Sequence, residues 1–394
     1  VTTFFLLSSA AKMLAVFTAI MSGVALLTLF ERRVCAWMQD RLGPNRVGPF
    51  GLLQPLADGV KNFIKEETYP AQADRTLFVL APMMAFVPAL LTFAVIPFGT
   101  PLPTPWGEVP LVVADLPVGF LYILALTSLG VYGIVLAGWS SNNKYALLGG
   151  LRASAQMISY EIAMGMSTVA VLLLAGNVAL SEIVAKQSVS PLHWNVFPLG
   201  LAWFIFLVAA FAETNRLPFD LPEAEGELIA GYHTEYSSMK FSMFYIAEYS
   251  NMLTASALMV TLFFGGWDIP FTQWDNTGPA AVLKTVATLA VFTAKVFFFL
   301  FLYVWVRWTL PRFRYDQLMV LGWQVMLPLA LGYLTVLATA IWYLHAVRGW
   351  SYDLRFAGAL AALNVVLGLV LFVGIDRGRL LGGSWAPPPP AGRV

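Results

Sequence analysis

Apolar runs of about 20 residues recur along the whole chain, each long enough to cross a hydrocarbon core about 30 Å thick. Nine such runs stand at residues 3–30, 77–98, 117–139, 153–176, 196–213, 241–265, 285–306, 325–345 and 356–375. Backbone polar groups in lipid must be satisfied within their own segment, so these runs predict helices. One connection follows a different pattern. Leu52, Leu53, Leu56, Val60, Phe63 and Ile64 fall at helical spacing opposite Gln54, Asp58, Lys61 and Lys65, which predicts an amphipathic helix lying along the membrane interface. Two Gly-Pro pairs in "GPNRVGP" predict tight turns just before it. The pattern is that of an all-α polytopic membrane protein, with about nine transmembrane helices plus a cytoplasmic interfacial helix between the first and second. Residues 1–380 read as a single integral membrane domain and 381–394 as a proline-rich, extended tail. The first run is too long for a signal-peptide core and has no small-residue cleavage site before "ERR", so it is expected to remain as an anchor.

Composition agrees with that picture and narrows the chemistry. The chain has 394 residues, 59% hydrophobic and 11% charged, where a soluble domain carries about 25% charged residues. Its net charge of +1 gives no reason to expect nucleic acid as a partner. Cys35 is the only cysteine, which excludes a disulfide framework and a thiolate-held iron–sulfur cluster. His193, His233 and His345 all fall in expected loops or at helix ends, so paired axial ligands for a buried haem are missing.

Lysines and arginines set the expected orientation. The connection after the first run holds Arg32, Arg33, Arg41, Arg46, Lys61, Lys65 and Arg75, while the next, "FGTPLPTPWGEVPLVVADLP", holds none. The alternation continues along the chain, which puts the N-terminus outside and the C-terminus in the cytoplasm. The acidic stretch "AETNRLPFDLPEAEGELIAGYHTEY" at 212–236 then faces the cytoplasm.

Four ionisable residues stand inside the apolar runs or close one: Glu161, Glu213, Glu248 and Lys295. Each costs at least about 2.5–3.5 kcal/mol at the bilayer centre, which makes each a functional candidate. Glu161 or Glu248 also fits a purely structural ion pair with Lys295, but one lysine does not neutralise three carboxylates. Lys12, near the outer end of the first run, is expected to reach the interface and carries no functional role. Pro218 and Pro222 break any helix through the acidic stretch. Whether the segment after Pro222 is a helical turn or extended, two or three of Glu223, Glu225 and Glu227 share a face. Crowded carboxylates titrate as a coupled set, which suits groups that hold and release protons. A solvated acidic loop is the plainer reading of the same residues.

Four motifs, taken together and in this order, make a specific match. "ERRVCAWMQDRLGPNRVGPFGLLQPLADGVK", "WSSNNKYALLGGLRASAQMISYE", "AETNRLPFDLPEAEGELIAGYHTEYSSMKF" and "PRFRYDQLM" resemble the H-subunit family of bacterial NADH:quinone oxidoreductase, respiratory complex I, whose mitochondrial counterpart is NADH dehydrogenase subunit 1. The match runs from about residue 10 to about residue 345. The resemblance implies a translocase subunit in the bacterial inner membrane that forms much of the quinone chamber and begins a chain of polar groups for proton translocation. It assigns Arg32, Arg41, Asp58, Arg216 and Phe219 to quinone binding. Proton transfer falls to Glu161, Glu213, Glu223, Glu225, Glu227 and Glu248, and Lys295 and Arg307 match basic positions of the seventh helix. It also implies no redox centre in this chain, with NADH, FMN and iron–sulfur clusters in partner subunits, a redox arm carrying the terminal cluster, further proton-translocating membrane subunits, and quinone as substrate. Two other classes fit the same residues: the anchor subunit of a membrane-bound hydrogenase-type complex, and a stand-alone ion transporter. The missing internal repeat speaks against the transporter.

Overall fold

The computed structural model describes residues 2–188, 190–220, 228–276 and 281–376. Eleven helices carry the fold among these residues: α1 Thr2–Met38, α2 Gln54–Ile64, α3 Arg75–Leu91, α4 Gly119–Ser140, α5 Lys144–Ala175, α6 Leu180–Gln187, α7 Gly200–Glu213, α8 Ser238–Phe263, α9 Val282–Thr309, α10 Tyr315–Val347 and α11 Leu354–Asp376. A short antiparallel hairpin, β1 Leu102–Thr104 and β2 Gly107–Val109, pairs Leu102 with Val109 in the connection between α3 and α4. The chain is an all-α polytopic membrane protein.

A helix stands at each of the nine places where the hydrophobic pattern predicts one. Among the described residues seven of them are long and apolar enough to cross a membrane: α1, α3, α4, α5, α9, α10 and α11. The other two differ in character. At 14 residues α7 is short, and α8 carries Lys240, Glu248 and repeated serines and threonines. Two helices also run past the limits of their apolar runs. The first continues through Glu31, Arg32 and Arg33 to Met38, so at 37 residues it is about 55 Å long. Likewise α5 begins at Lys144, capped by the Asn143 side chain, and ends where Gly176 takes the left-handed conformation.

Packing centres on α5. This helix lies between α4 and α7, with α10 against it, while α3 packs on both α4 and α8, and α9 packs on α8 and α1. Tyr160 of α5, Phe206 of α7 and Phe263 of α8 are fully buried in the common core. The long α10 winds as π-helix over Leu321–Met326 and Tyr343–Val347.

The predicted amphipathic segment is helical over Gln54–Ile64, and none of its residues is buried. Its apolar ridge, including Leu56, Phe63 and Ile64, is exposed in the isolated chain. The "GPNRVGP" turns precede it, where Gly51 sits at φ +73° with Pro44 so close that a Cβ would collide with its carbonyl.

Candidate functional site

The C-terminal parts of α1 and α9, the loop after α7 and the middle of α8 meet at a group of charges. Glu31, on the last turns of α1, is only 6% exposed. It accepts hydrogen bonds from Arg216 Nη1 at 3.1 and 3.3 Å, from Tyr249 Oη at 2.5 Å, and from Arg307 Nη1. Arg216, 5% exposed, reaches Glu248 Oε1 from Nε at 2.7 Å and lies over the Tyr249 ring at 4.3 Å. Two guanidinium groups therefore face two carboxylates. Charges taken out of water are tolerated when paired and hydrogen-bonded in this way.

The position of Arg216 follows from the loop that carries it. After Glu213 the chain leaves helical geometry, the Leu217–Pro218 peptide is cis, and Phe219 N donates to Arg216 O at 2.8 Å. From α5 the Gln156 amide reaches Ala212 O and Phe219 O at 2.8 Å and Asn215 Oδ1 at 3.1 Å, which ties the loop to the core. Arg312 adds an ion pair to Asp220 at 3.1 Å.

A small cavity of mixed lining adjoins this group at Glu248. It is lined by Glu213, Glu248, Asn215, Asn251 and Tyr232 among others, with a volume of about 30 Å³. That is enough for a water molecule, which needs about 10–15 Å³, and far too little for a quinone ring. Glu248 thus belongs both to the arginine group and to the cavity that Glu213 shares. Glu213 in turn lies within electrostatic reach of Glu161, which accepts from Ser128 Oγ of α4 at 2.5 Å. Glu31, Glu248, Glu213 and Glu161 form a succession from the end of α1 into the middle of α5.

The remaining candidates are distributed as follows. Arg32 and Asp58 come together at 2.6 Å, with Gln54 bonded to the other carboxylate oxygen at 3.1 Å, on an exposed face between α1 and α2. Arg41 is exposed and bonds to Gln39 at 2.7 Å, apart from the carboxylates. Phe219 is buried, with the Tyr160 ring at 5.7 Å and the Phe313 ring at 5.5 Å. Glu223, Glu225 and Glu227 lie outside the described residues.

Lys295 is removed from the carboxylate group. Its Nζ donates to the carbonyls of Phe264 (2.8 Å), Gly266 (3.0 Å) and Asp268 (2.7 Å) and sits 4.2 Å from the centre of the Trp194 ring. It gathers the turn that follows α8, whose carbonyls at Phe264, Gly266 and Asp268 lie beyond the helix. Asp268 receives the Trp194 indole N–H at 2.9 Å and Asn276 Nδ2 at 2.9 Å; burial pushes its carboxyl above the usual carboxylate range against those hydrogen bonds. The structural pairing of Lys295 with Glu161 or Glu248 that the sequence allows does not occur. Both glutamates have other partners.

Two members of the group escaped the sequence reading. Glu31 sits at the boundary between an apolar run and "ERR", where an acid resembles an ordinary flank, and Tyr249 follows Glu248 on an apolar helix. The signal for Glu31 is its place beside two arginines at the end of a helix that does not stop there. Among the described residues no group of three or more His, Cys, Asp or Glu side chains is placed to hold a metal ion.

Comparison with known proteins gives a consistent result. The family profile described as NADH dehydrogenase matches residues 11–338. The chain is 52% identical over 327 residues to NADH-quinone oxidoreductase H subunit 1 of Cytophaga hutchinsonii, covering 83% of this chain and 94% of that protein. It is 53% identical over 321 residues to NADH-quinone oxidoreductase H subunit 1 of Geobacter metallireducens, covering 82% and 92%. The NADH-quinone oxidoreductase H subunit of Leptospira biflexa is 49% identical over 349 residues, covering 86% and 96%.

Proposed function

This chain belongs to the NADH dehydrogenase family, that of the H subunit of NADH-quinone oxidoreductase, and on that premise we propose that it forms the membrane side of the quinone chamber and couples quinone reduction to proton translocation. The observation that carries this reading is the run of carboxylates from buried Glu31 through half-buried Glu248 and Glu213 to Glu161. Ionisable groups at such depth are costly, and a connected set of them around a water-sized cavity suits proton movement. The subunit sits in the bacterial inner membrane with its N-terminus outside, within a complex of redox-arm and proton-translocating membrane subunits.

In this reading quinone reaches the chamber sideways from the bilayer, past α1 and the exposed apolar ridge of α2. Arg32, Asp58 and Arg41 stand at the mouth, while Arg216 and the loop carrying Phe219 border the inner end. Neighbouring subunits complete the chamber and supply electrons from an iron–sulfur cluster, with NADH and FMN further out. Reduction places negative charge beside Arg216 and Arg307, and charges near Glu31 and Glu248 are weakly screened at that depth. The pairing of Arg216 with Glu248 then weakens, and a proton moves through the cavity toward Glu213 and Glu161. Glu223, Glu225 and Glu227, outside the described residues, are assigned to proton transfer by the family resemblance alone.

The test is Glu213→Gln in the assembled complex, reconstituted in proteoliposomes. Quinone reduction and proton pumping are expected to fall together by tenfold or more, in the range of about 10²–10⁴ that a positioned acid or base supplies. Retention of both activities would remove Glu213 from the path and overturn the reading.

A further inference from the structure

Glu31 has an approach other than the two arginines. Tyr249 Oη donates to Glu31 Oε2 at 2.5 Å and lies 3.1 Å from Tyr245 Oη, one helical turn nearer the start of α8. A phenol has a single hydrogen to donate. Since that of Tyr249 is committed to the carboxylate, the hydrogen between the two phenols belongs to Tyr245. Both O–H bonds therefore point inward, toward Glu31. In the isolated chain Tyr249 is 2% exposed and Tyr245 is 39% exposed, so the pair connects a sealed carboxylate with the surface of α8. The two rings are 4.8 Å apart, and Tyr245 stacks on Phe241, which holds the hydroxyls in line.

We propose that Tyr245 and Tyr249 form a relay delivering protons to Glu31 from the surface of α8. The proposal rests on the function given above and adds a route of proton uptake to it. In one transfer Tyr249 Oη passes its proton to the Glu31 carboxylate and receives that of Tyr245, which is refilled by a proton from water. No electron moves. Both phenols end neutral with their hydroxyls turned, and Glu31 becomes a carboxylic acid. The group of Arg216, Arg307, Glu31 and Glu248 passes from a formal charge of zero to +1. Two guanidinium groups repel that added charge, so the transfer runs when a compensating negative charge arrives, as on a quinone being reduced. The relay thereby ties proton uptake to the chemistry in the chamber.

Tyr245→Phe in the reconstituted complex tests this, because it removes one hydroxyl and keeps the ring, its stacking and every charge. Quinone-reductase turnover per assembled complex is expected to fall about tenfold, less than for a primary acid or base because water substitutes in part. The KM for quinone should stay unchanged, and the ratio of rates in H2O and D2O should rise. Because the relay is in series, Tyr245→Phe combined with Tyr249→Phe should be no slower than Tyr249→Phe alone. An unchanged rate and isotope ratio for Tyr245→Phe would overturn the relay, as would an effect confined to KM or single effects that multiply in the double variant. If Glu213→Gln abolishes coupled activity while Tyr245→Phe does nothing, the relay alone fails; if Glu213→Gln is silent, the function proposed above fails.

Discussion

Taking away one member of the buried charge group strands the others. Arg216→Met leaves Glu31 with Arg307 and deprives Glu248 of its 2.7 Å partner. Breaking a buried pair in this way costs about 3–5 kcal/mol, so the variant is expected to lower both the yield of assembled complex and its thermal inactivation temperature. Replacement of Lys295 should behave differently. Lys295→Met frees three carbonyls in the turn after α8, each costing about 1–3 kcal/mol if left unbonded. Assembly should suffer, while quinone turnover per assembled complex should match that of the unsubstituted protein; a lower turnover in intact complex would return Lys295 to the catalytic path. At this scale the sequence marked Glu161, Glu213 and Glu248 through the cost of burying charge in an apolar run. It did not mark Glu31, because a residue at the end of such a run carries no visible cost until the helix is known to continue and the arginines of α9 and the 214–219 loop are brought to it.

Helices here are set close by small residues. A Cβ on Gly133 of α4 would lie 2.8 Å from Ala85 N and 2.9 Å from Ala81 O of α3, and one on Gly149 of α5 would lie 2.7 Å from Gly231 Cα and Tyr232 N. Gly133→Val is expected to separate α3 from α4 and cost at least the about 1–3 kcal/mol of overpacking, seen as faster proteolysis of the solubilised complex. Hydropathy located the helices but not their lengths. An apolar run records the part of a helix meant for lipid, whereas backbone hydrogen bonds continue wherever protein supports them, as in α1 from residue 30 to Met38 and α5 from Lys144 to residue 153. The β1–β2 hairpin was equally invisible, since three-residue strands show no alternation long enough to read.

For the whole molecule, the asymmetry of lysine and arginine makes a directional prediction. Buried Cys35 is the only native thiol and gives little background to labelling. With an impermeant thiol reagent, Glu108→Cys in the hairpin should react from the outer side and Arg46→Cys only in inverted vesicles; the opposite pattern would reverse the orientation. The nine apolar runs and the four motifs made the class, the places of the helices and the family legible in the sequence, because hydrophobic length and motif order are local properties written into consecutive residues. Contacts among charges are not local. Glu31, Arg216, Glu248 and Arg307 are up to 276 positions apart and meet only because α1, α8 and α9 pack side by side and Gln156 holds the 212–219 loop against α5. Sequence alone determined that carboxylates would stand within or at the ends of apolar helices; the tertiary structure decided which arginines would face them, and that Lys295, of matching charge, would bond instead to three carbonyls in the turn after α8.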